Sequence, residues 1–423
     1  MFQLPKLPFS NPFSYFNSRS IKLPSVKIDD IETSSDRRAR TLKHLLKANH
    51  ANHSIIYHNL RFHNHCPHIL GSAYLLGSTS EHLNDIYDKE SKQLEGWKDA
   101  PGEVTGGDWR EYLGKREYQR AFVDLFEDEL VRHNYDWKSL LNTYLFDGEE
   151  PVFNSLIEGL AHPLIHLGYG YELNSQTVAI EALAMACCFY GDMHKYIDDP
   201  AYSKPPAPEV VSASPLELLQ KIQGDRRFDS LNLTHPGSEN AEKILAECED
   251  VVLEYWNAWT LPNPKDQFQQ SQEAAVALLV GTHDERQKYD FFLLHLLTSS
   301  HAIRILLPLI PAKFEISLVR QWWLFAIITY VCQLRPQIEM SRIHDVKLDG
   351  RDWKFIDHAA LAGKYSLDPH YVKALRALKE ANNTWGEHEH FWLKAAVKFA
   401  EDFSDWFGFG LDEEMEKNAN TRD

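Results

Sequence analysis

Apolar residues recur at three- and four-residue intervals along most of this chain, and almost nowhere at intervals of two. Leu156, Leu160, Leu164 and Leu167 show the pattern. On a helix of 3.6 residues per turn, such positions line one side. The same period covers 175–190, 239–258, 271–281, 287–307, 314–334, 369–380 and 387–405. Thr79 or Ser80 can cap a helix over 81–94, and Asp108 opens an amphipathic stretch from Trp109 to Val131. No alternating run is bounded by a hairpin dipeptide. Such a chain buries its apolar surface by packing helix on helix, so the sequence predicts an all-α fold. The helical domain is expected over 31–410. An extended arm rich in Pro, Ser and Phe precedes it at 1–30, and a polar tail follows at 411–423. The Pro-rich segment 196–215 reads as a connecting loop.

Charge and cysteine usage remove several function classes. Forty-four basic against 61 acidic residues give a net charge of −17, which argues against nucleic acid or an anionic membrane as partner. Five cysteines, an odd number with no CxxC, support neither a disulfide framework nor a thiolate zinc site. The longest apolar runs, such as 322–332, are too short to span a bilayer. Residues 1–27 contain no acid but carry Pro5, Pro8, Pro12 and Pro24 and no continuous apolar stretch, so no secretory signal is expected and the cytoplasm is the expected location. Gly168-Tyr169-Gly170 and Gly408-Phe409-Gly410 lack the third glycine and the preceding strand of a dinucleotide-binding turn. No P-loop and no GxSxG elbow occur. A di-iron carboxylate bundle needs two ExxH motifs, and only Glu387/His390 fits.

The chain holds 21 histidines, many of them in apolar stretches. Four segments stand out: Phe62-His63-Asn64-His65-Cys66-Pro67-His68, His162-Pro163-Leu164-Ile165-His166-Leu167-Gly168-Tyr169, Phe291-Phe292-Leu293-Leu294-His295, and His370-Tyr371-Val372-Lys373. On helices, His65/His68, His162/His166 and His370/Lys373 each share a face. Pro67 and Pro163 fit best in the first turn of a helix, which leaves His65 and His162 at or before the caps and makes His68 and His166 the better fixed members. A single histidine on an apolar face is commonly a hydrogen-bonded core residue. Four apolar helices each carrying one point instead to a buried multi-histidine metal site, since imidazole is the commonest ligand of zinc, copper and iron.

Lys373 cannot ligate a cation as an ammonium. It either snorkels to water, pairs with a carboxylate, or carries CO₂ on Nζ as a carbamate, the anionic oxygen ligand that an all-histidine site lacks. Trp322-Trp323 and the aromatic run 403–409 read as core packing that can also flank a flat polycyclic ligand. Tyr169, Tyr171 and Glu172 follow the second histidine pair and are placed to line a pocket. Arg304, Arg335 and Arg376 suit either structural ion pairs or the orientation of a phenolate or carboxylate. His283, His388 and His390 lie in polar segments expected at the surface.

At these residues the chain resembles the questin oxidase-like proteins of fungal polyketide pathways. The resemblance rests on His63-Asn-His65-x-x-His68, His162-Pro-Leu-Ile-His166-Leu-Gly-Tyr169, Asp290-Phe-Phe-Leu-Leu-His295-x-x-Thr298-Ser and His370-x-x-Lys373-x-x-Arg376-Ala-Leu. It runs in order from about residue 35 to 405. Cys66-Pro67 and Gly71 depart from it, standing where apolar residues are expected. The resemblance implies oxidative cleavage of a quinone ring in an anthraquinone-type pathway. It implies a mononuclear non-heme iron held by His68, His166, His295 and His370, with carboxylated Lys373 as a further ligand and His65 and His162 as alternative or supporting residues. O₂ is the oxidant, a planar aromatic polyketide is the substrate, and Tyr169 and Trp322 are the expected substrate contacts. Manganese and copper suit the same ligand types. Two other readings stand beside this one: an NADPH-dependent Baeyer–Villiger-type oxidase, and a non-catalytic helical binding protein whose histidines only pack.

Overall fold

The computed structural model describes residues 20–282 and 288–410. Most of the expected N-terminal arm, His283 and the C-terminal tail lie outside the described residues. Along the chain run α1 (Arg37–Asn52), α2 (Cys66–Leu76), α3 (Ser80–Glu90), α4 (Gln119–Arg132), α5 (Trp137–Tyr144), α6 (His162–Glu172), α7 (Gln176–Cys188) and the single-turn α8 (Lys195–Asp198). After them come α9 (Pro215–Gly224), α10 (Asn240–Ala258), α11 (Pro264–Val280), α12 (Phe291–Leu306), α13 (Glu315–Cys332), the short α14 (Ser341–His344), α15 (Trp353–Ala362), α16 (Pro369–Trp385) and α17 (Phe391–Asp402). The few strands are two or three residues long. β1 (Ile56–Tyr57) pairs antiparallel with β2 (Phe62–His63), and β3 (Lys288–Asp290) pairs parallel with β4 (Asp405–Phe407). The fold is all-α, as the periodicity requires. No helix among the described residues is long and apolar enough to cross a membrane.

At the centre, every residue of α6 is buried, and α12 and α13 are buried along nearly their whole length. These helices are apolar all round because neighbours cover every side. Glycines set the closest approaches. A Cβ on Gly168 would lie 3.0 Å from the Cβ of Ala302 on α12, and one on Gly170 would lie 3.2 Å from the Cα of Ala179 on α7. The Gly-x-Gly of α6 therefore lets three helices meet backbone to backbone. Gly71, a departure from the resemblance, has a packing reason: a Cβ there would meet the Tyr169 ring at 2.8 Å.

Some boundaries differ from the periodic pattern. The stretch expected to be helical from Leu156 becomes α6 only at His162, because Gly159, Leu160 and Ala161 take left-handed φ values of 59°, 57° and 58°. Residues 109–118 form two 3₁₀ turns before α4 begins. Residues 288–290 are a strand, and α12 starts at Phe291, where the Asp290 carboxylate accepts from the Phe292 and Leu293 amides at 2.8 and 2.9 Å. Thr79 caps α3 as expected, accepting from the His82 amide.

Candidate metal centre

Pro67 and Pro163 do sit in first turns, so His65 is the N-cap of α2 and His162 the first residue of α6. His295 lies one turn into α12, and His370 is the second residue of α16. The starts of four helices thus deliver four imidazoles to one point. One ring nitrogen from each of His65, His162, His295 and His370 falls within 4.8 Å of all the others. His65 Nε2 stands 2.8 Å from His162 Nε2 and 3.1 Å from His370 Nε2.

The tautomers follow from the opposite ring edges. His162 Nδ1 donates to the Gly159 carbonyl at 2.9 Å, and His295 Nδ1 donates to the Phe291 carbonyl at 2.7 Å. Each therefore presents an Nε2 lone pair, provided its ring is neutral. Burial makes it so, holding all four histidines well below their ordinary pKa with a smaller push from the Lys373 ammonium. One Nε2–H on His65 can satisfy either His162 or His370, not both. His295 Nε2 is buried with no hydrogen-bond partner. Convergent buried lone pairs are costly unless a cation holds them. Metal–nitrogen bonds of about 2.1 Å put neighbouring ligand nitrogens about 3–4 Å apart, and the His65 Nε2 contacts of 2.8 and 3.1 Å lie close to the lower end of that range. The residues fit a divalent transition metal. His63 backs the site, its ring stacked on His162 with centroids 3.7 Å apart.

Of the four ligands first expected, His295 and His370 join this cluster, whereas His68 and His166 do not. A turn deeper in α2 and α6, these two face each other: His68 Nε2 lies 3.0 Å from His166 Nδ1, and His166 Nε2 lies 2.8 Å from the buried Glu181 carboxylate. The other Glu181 oxygen meets His50 Nδ1 at 2.8 Å, and His50 Nε2 meets Glu127 at 3.1 Å. Burial works against the His50 charge, yet the hydrogen bonds to both glutamates raise its pKa to about 9. Burial likewise disfavours the Glu181 carboxylate, and the two histidines overcome that to bring it down to about 2.

Lys373 is buried one turn along α16 from His370, its Nζ without a hydrogen-bond partner. Burial lowers its pKa to about 7. It faces a small internal chamber shared with Tyr169, Glu172, His301 and Arg376.

A cavity of about 400 Å³ opens onto His65 and His162. Phe62, Phe189, Phe291, Phe325 and Phe409 form its walls, and Arg61, Arg116 and Glu158 are its charged members. The Arg116 guanidinium lies 4.5 Å from the centre of the Phe189 ring. Neither Tyr169 nor Trp322 lines this cavity, which corrects the expectation for both. Tyr169 is held behind the site, its hydroxyl 2.6 Å from Ser72 and its ring stacked on His68. The Trp322 indole donates to the Leu296 carbonyl in the core. The arginines first considered are also engaged elsewhere: Arg376 with Glu172, Arg335 with Asp229, and Arg304 with Thr384 and the Pro24 carbonyl. Phe409, from the aromatic run 403–409, does reach the cavity.

The fold and site define an all-α protein with a buried histidine cluster at the end of an aromatic cavity. Residues 62–378 match the questin oxidase-like family, and the chain belongs to that family. A Baeyer–Villiger monooxygenase of Aspergillus aculeatus is 25% identical, covering 88% of this chain and 89% of its own length. A Baeyer–Villiger oxidase of Emericella nidulans is 22% identical over 88% of each chain. A questin oxidase of Aspergillus fumigatus is 24% identical over 82% of each.

Proposed function

We propose that this chain is a non-heme iron-dependent dioxygenase that cleaves a C–C bond of an anthraquinone-type ring in fungal polyketide biosynthesis. The observation that carries the reading is the convergence of His65, His162, His295 and His370 beside an aromatic cavity. These four residues would hold the iron. When bound, the iron supplies activation of O₂ towards an electron-rich hydroxyanthraquinone or its hydroquinone. The Gly159 and Phe291 carbonyls fix the Nε2 edges of His162 and His295 towards the cluster. The phenyl walls stack a planar polycycle and keep water from its reacting edge. Arg61 and Arg116 offer positive charge to an acidic hydroxyl or carboxyl group on the substrate.

Lys373 fits the role of a carboxylated ligand. A buried amine with its pKa near 7 is substantially neutral, the form that adds CO₂ to give a carbamate and a proton. The carbamate would place an anionic oxygen on α16, one turn from His370.

The names of the relatives favour a second reading, a Baeyer–Villiger-type oxidation, for which NADPH would be the reductant. One experiment separates the two. Metal is measured by mass spectrometry on anaerobically purified protein, and ring opening of a hydroxyanthraquinone is followed with and without NADPH. Near-stoichiometric iron with NADPH-independent turnover is expected. Negligible metal with an absolute NADPH requirement would overturn the iron reading.

A further inference from the structure

Among the described residues, Glu158 is the one carboxylate that lines the aromatic cavity. It stands at the head of the left-handed run 159–161, and the carbonyl of the next residue, Gly159, accepts from His162 Nδ1. One turn of chain therefore sets both the carboxylate and a ring of the cluster. Glu158 Oε1 accepts from the Met193 amide at 3.1 Å, and Gly191 makes room for it, since a Cβ there would lie 2.7 Å from that oxygen. Oε2 has no hydrogen-bond partner among the described residues. Arg116 shares the cavity from its exposed rim, its Nη1 donating to the Leu60 carbonyl at 3.3 Å, and forms no ion pair with Glu158.

The surroundings state what Oε2 can take. Burial raises the Glu158 pKa and Asp192 adds to that, while the Met193 amide, Arg116 and His194 act against it. A half-buried carboxylate among phenyl walls gains from a hydrogen donated to its open oxygen. A cationic donor would meet Arg61 and Arg116, so the donor is neutral. Phe62, Phe189, Phe291 and Phe325 fit a flat ring. A neutral, strong donor on a flat ring is a phenolic hydroxyl. One that lies beside a quinone carbonyl already donates to that carbonyl, so the hydroxyl that suits Oε2 stands clear of it.

We propose that Glu158 selects the substrate by accepting, at Oε2, a hydrogen bond from a phenolic hydroxyl that stands clear of the quinone carbonyls. A methyl ether at that place has no hydrogen to give and leaves the carboxylate unpaired. A carboxylate at that place brings like charge against it. Because Glu158 and His162 are held by the same turn, the place of the hydroxyl on the ring decides which carbons face the cluster. Glu158 is thus a positioning residue for the ring opening proposed above. The inference rests on that reading for its purpose, and on the cavity alone for its selectivity.

The test measures binding without turnover, on the full chain kept anaerobic at a measured metal content, by quenching of tryptophan fluorescence. The probes are anthraquinone and its 2-hydroxy, 2-methoxy and 2-carboxylate derivatives. The wild type is expected to bind the hydroxy probe at least tenfold more tightly than either anthraquinone or the methyl ether. Glu158→Gln keeps the shape and the Met193 bond but turns the open acceptor into a donor. It is expected to abolish the preference for hydroxyl over ether and to bind the carboxylate probe at least tenfold more tightly than the wild type does, a gain that a damaged fold cannot give. An undiminished preference in Glu158→Gln, or unchanged binding of the carboxylate probe, would overturn the role of Glu158. The wild-type comparison needs no variant: a hydroxyl that adds nothing to binding would overturn it even if Glu158→Gln did not fold. That result beside iron-dependent ring opening would remove Glu158 alone, whereas a hydroxyl preference in a protein that opens no ring would keep Glu158 and remove the dioxygenase. If no probe binds, both fall.

Discussion

The ion pair between Arg376 and Glu172 joins the two helices that carry His370 and His162, and breaking it from one side tests what holds the site. The Arg376 side chain is 2% exposed and that of Glu172 7%, and an Arg376 Nη donates to Glu172 Oε1. The guanidinium also lies 5.5 Å from the centre of the Tyr169 ring, while its Nε and other Nη have no partner. Arg376→Met leaves a buried carboxylate with no counter-charge, which costs about 3–5 kcal/mol. Replacing both charges, as Glu172→Met with Arg376→Met, removes the uncompensated charge together with the desolvation of the pair. Because Arg376 was not fully satisfied to begin with, the double variant is expected within about 1 kcal/mol of wild type. Urea unfolding followed by circular dichroism at neutral pH measures both. The single variant should also bind metal more weakly, because α6 and α16 lose their register. A single variant costing under about 1 kcal/mol would show that the pair is inert. A double variant as unstable as the single would show that the lost arginine, not the stranded charge, is responsible.

His295→Ala removes the one cluster nitrogen that has no other partner, so bound metal and ring-opening turnover should be lost together while helix content persists; full metal in that variant would exclude His295 as a ligand. The His50 pKa near 9 lies above its unfolded value, so its contribution to stability is complete below about pH 6.5 and is lost as pH rises through 9, whereas that of Glu181, with its pKa near 2, is complete above about pH 4.5 and is lost as pH falls. Glu181→Gln should flatten both limbs of a stability–pH profile, each by an amount on the order of 2 kcal/mol, and an unchanged profile would contradict the charge assignments. Gly71→Ala drives a methyl into the Tyr169 ring and should cost about 1–3 kcal/mol in thermal unfolding, and Tyr169→Leu in the same chain should recover part of that loss.

The class of fold was legible because period 3.6 is a local property: each buried helix needs its apolar positions whatever it packs against. The histidines were legible as a set for a related reason, since four imidazoles on apolar stretches are expensive unless something buried uses them. Which ones converge was not. Pro67 and Pro163 correctly placed His65 and His162 at helix starts, but the sequence reading took fixity for convergence and favoured His68 and His166. The left-handed run at Gly159–Ala161 carries no periodic signal, yet it is what turns His162 towards His65. Glu181, His50 and Glu127 were passed over because each, alone, is an ordinary residue of an amphipathic helix; their meaning lies in a hydrogen-bonded order that exists only once α1, α4 and α7 are packed. The same holds for Arg61 and Arg116, which stand far apart in the chain and become the positive members of the cavity only once the fold brings both to its lining. Local periodicity thus specified the scaffold, and the helix ends, where periodicity stops, carry the chemistry.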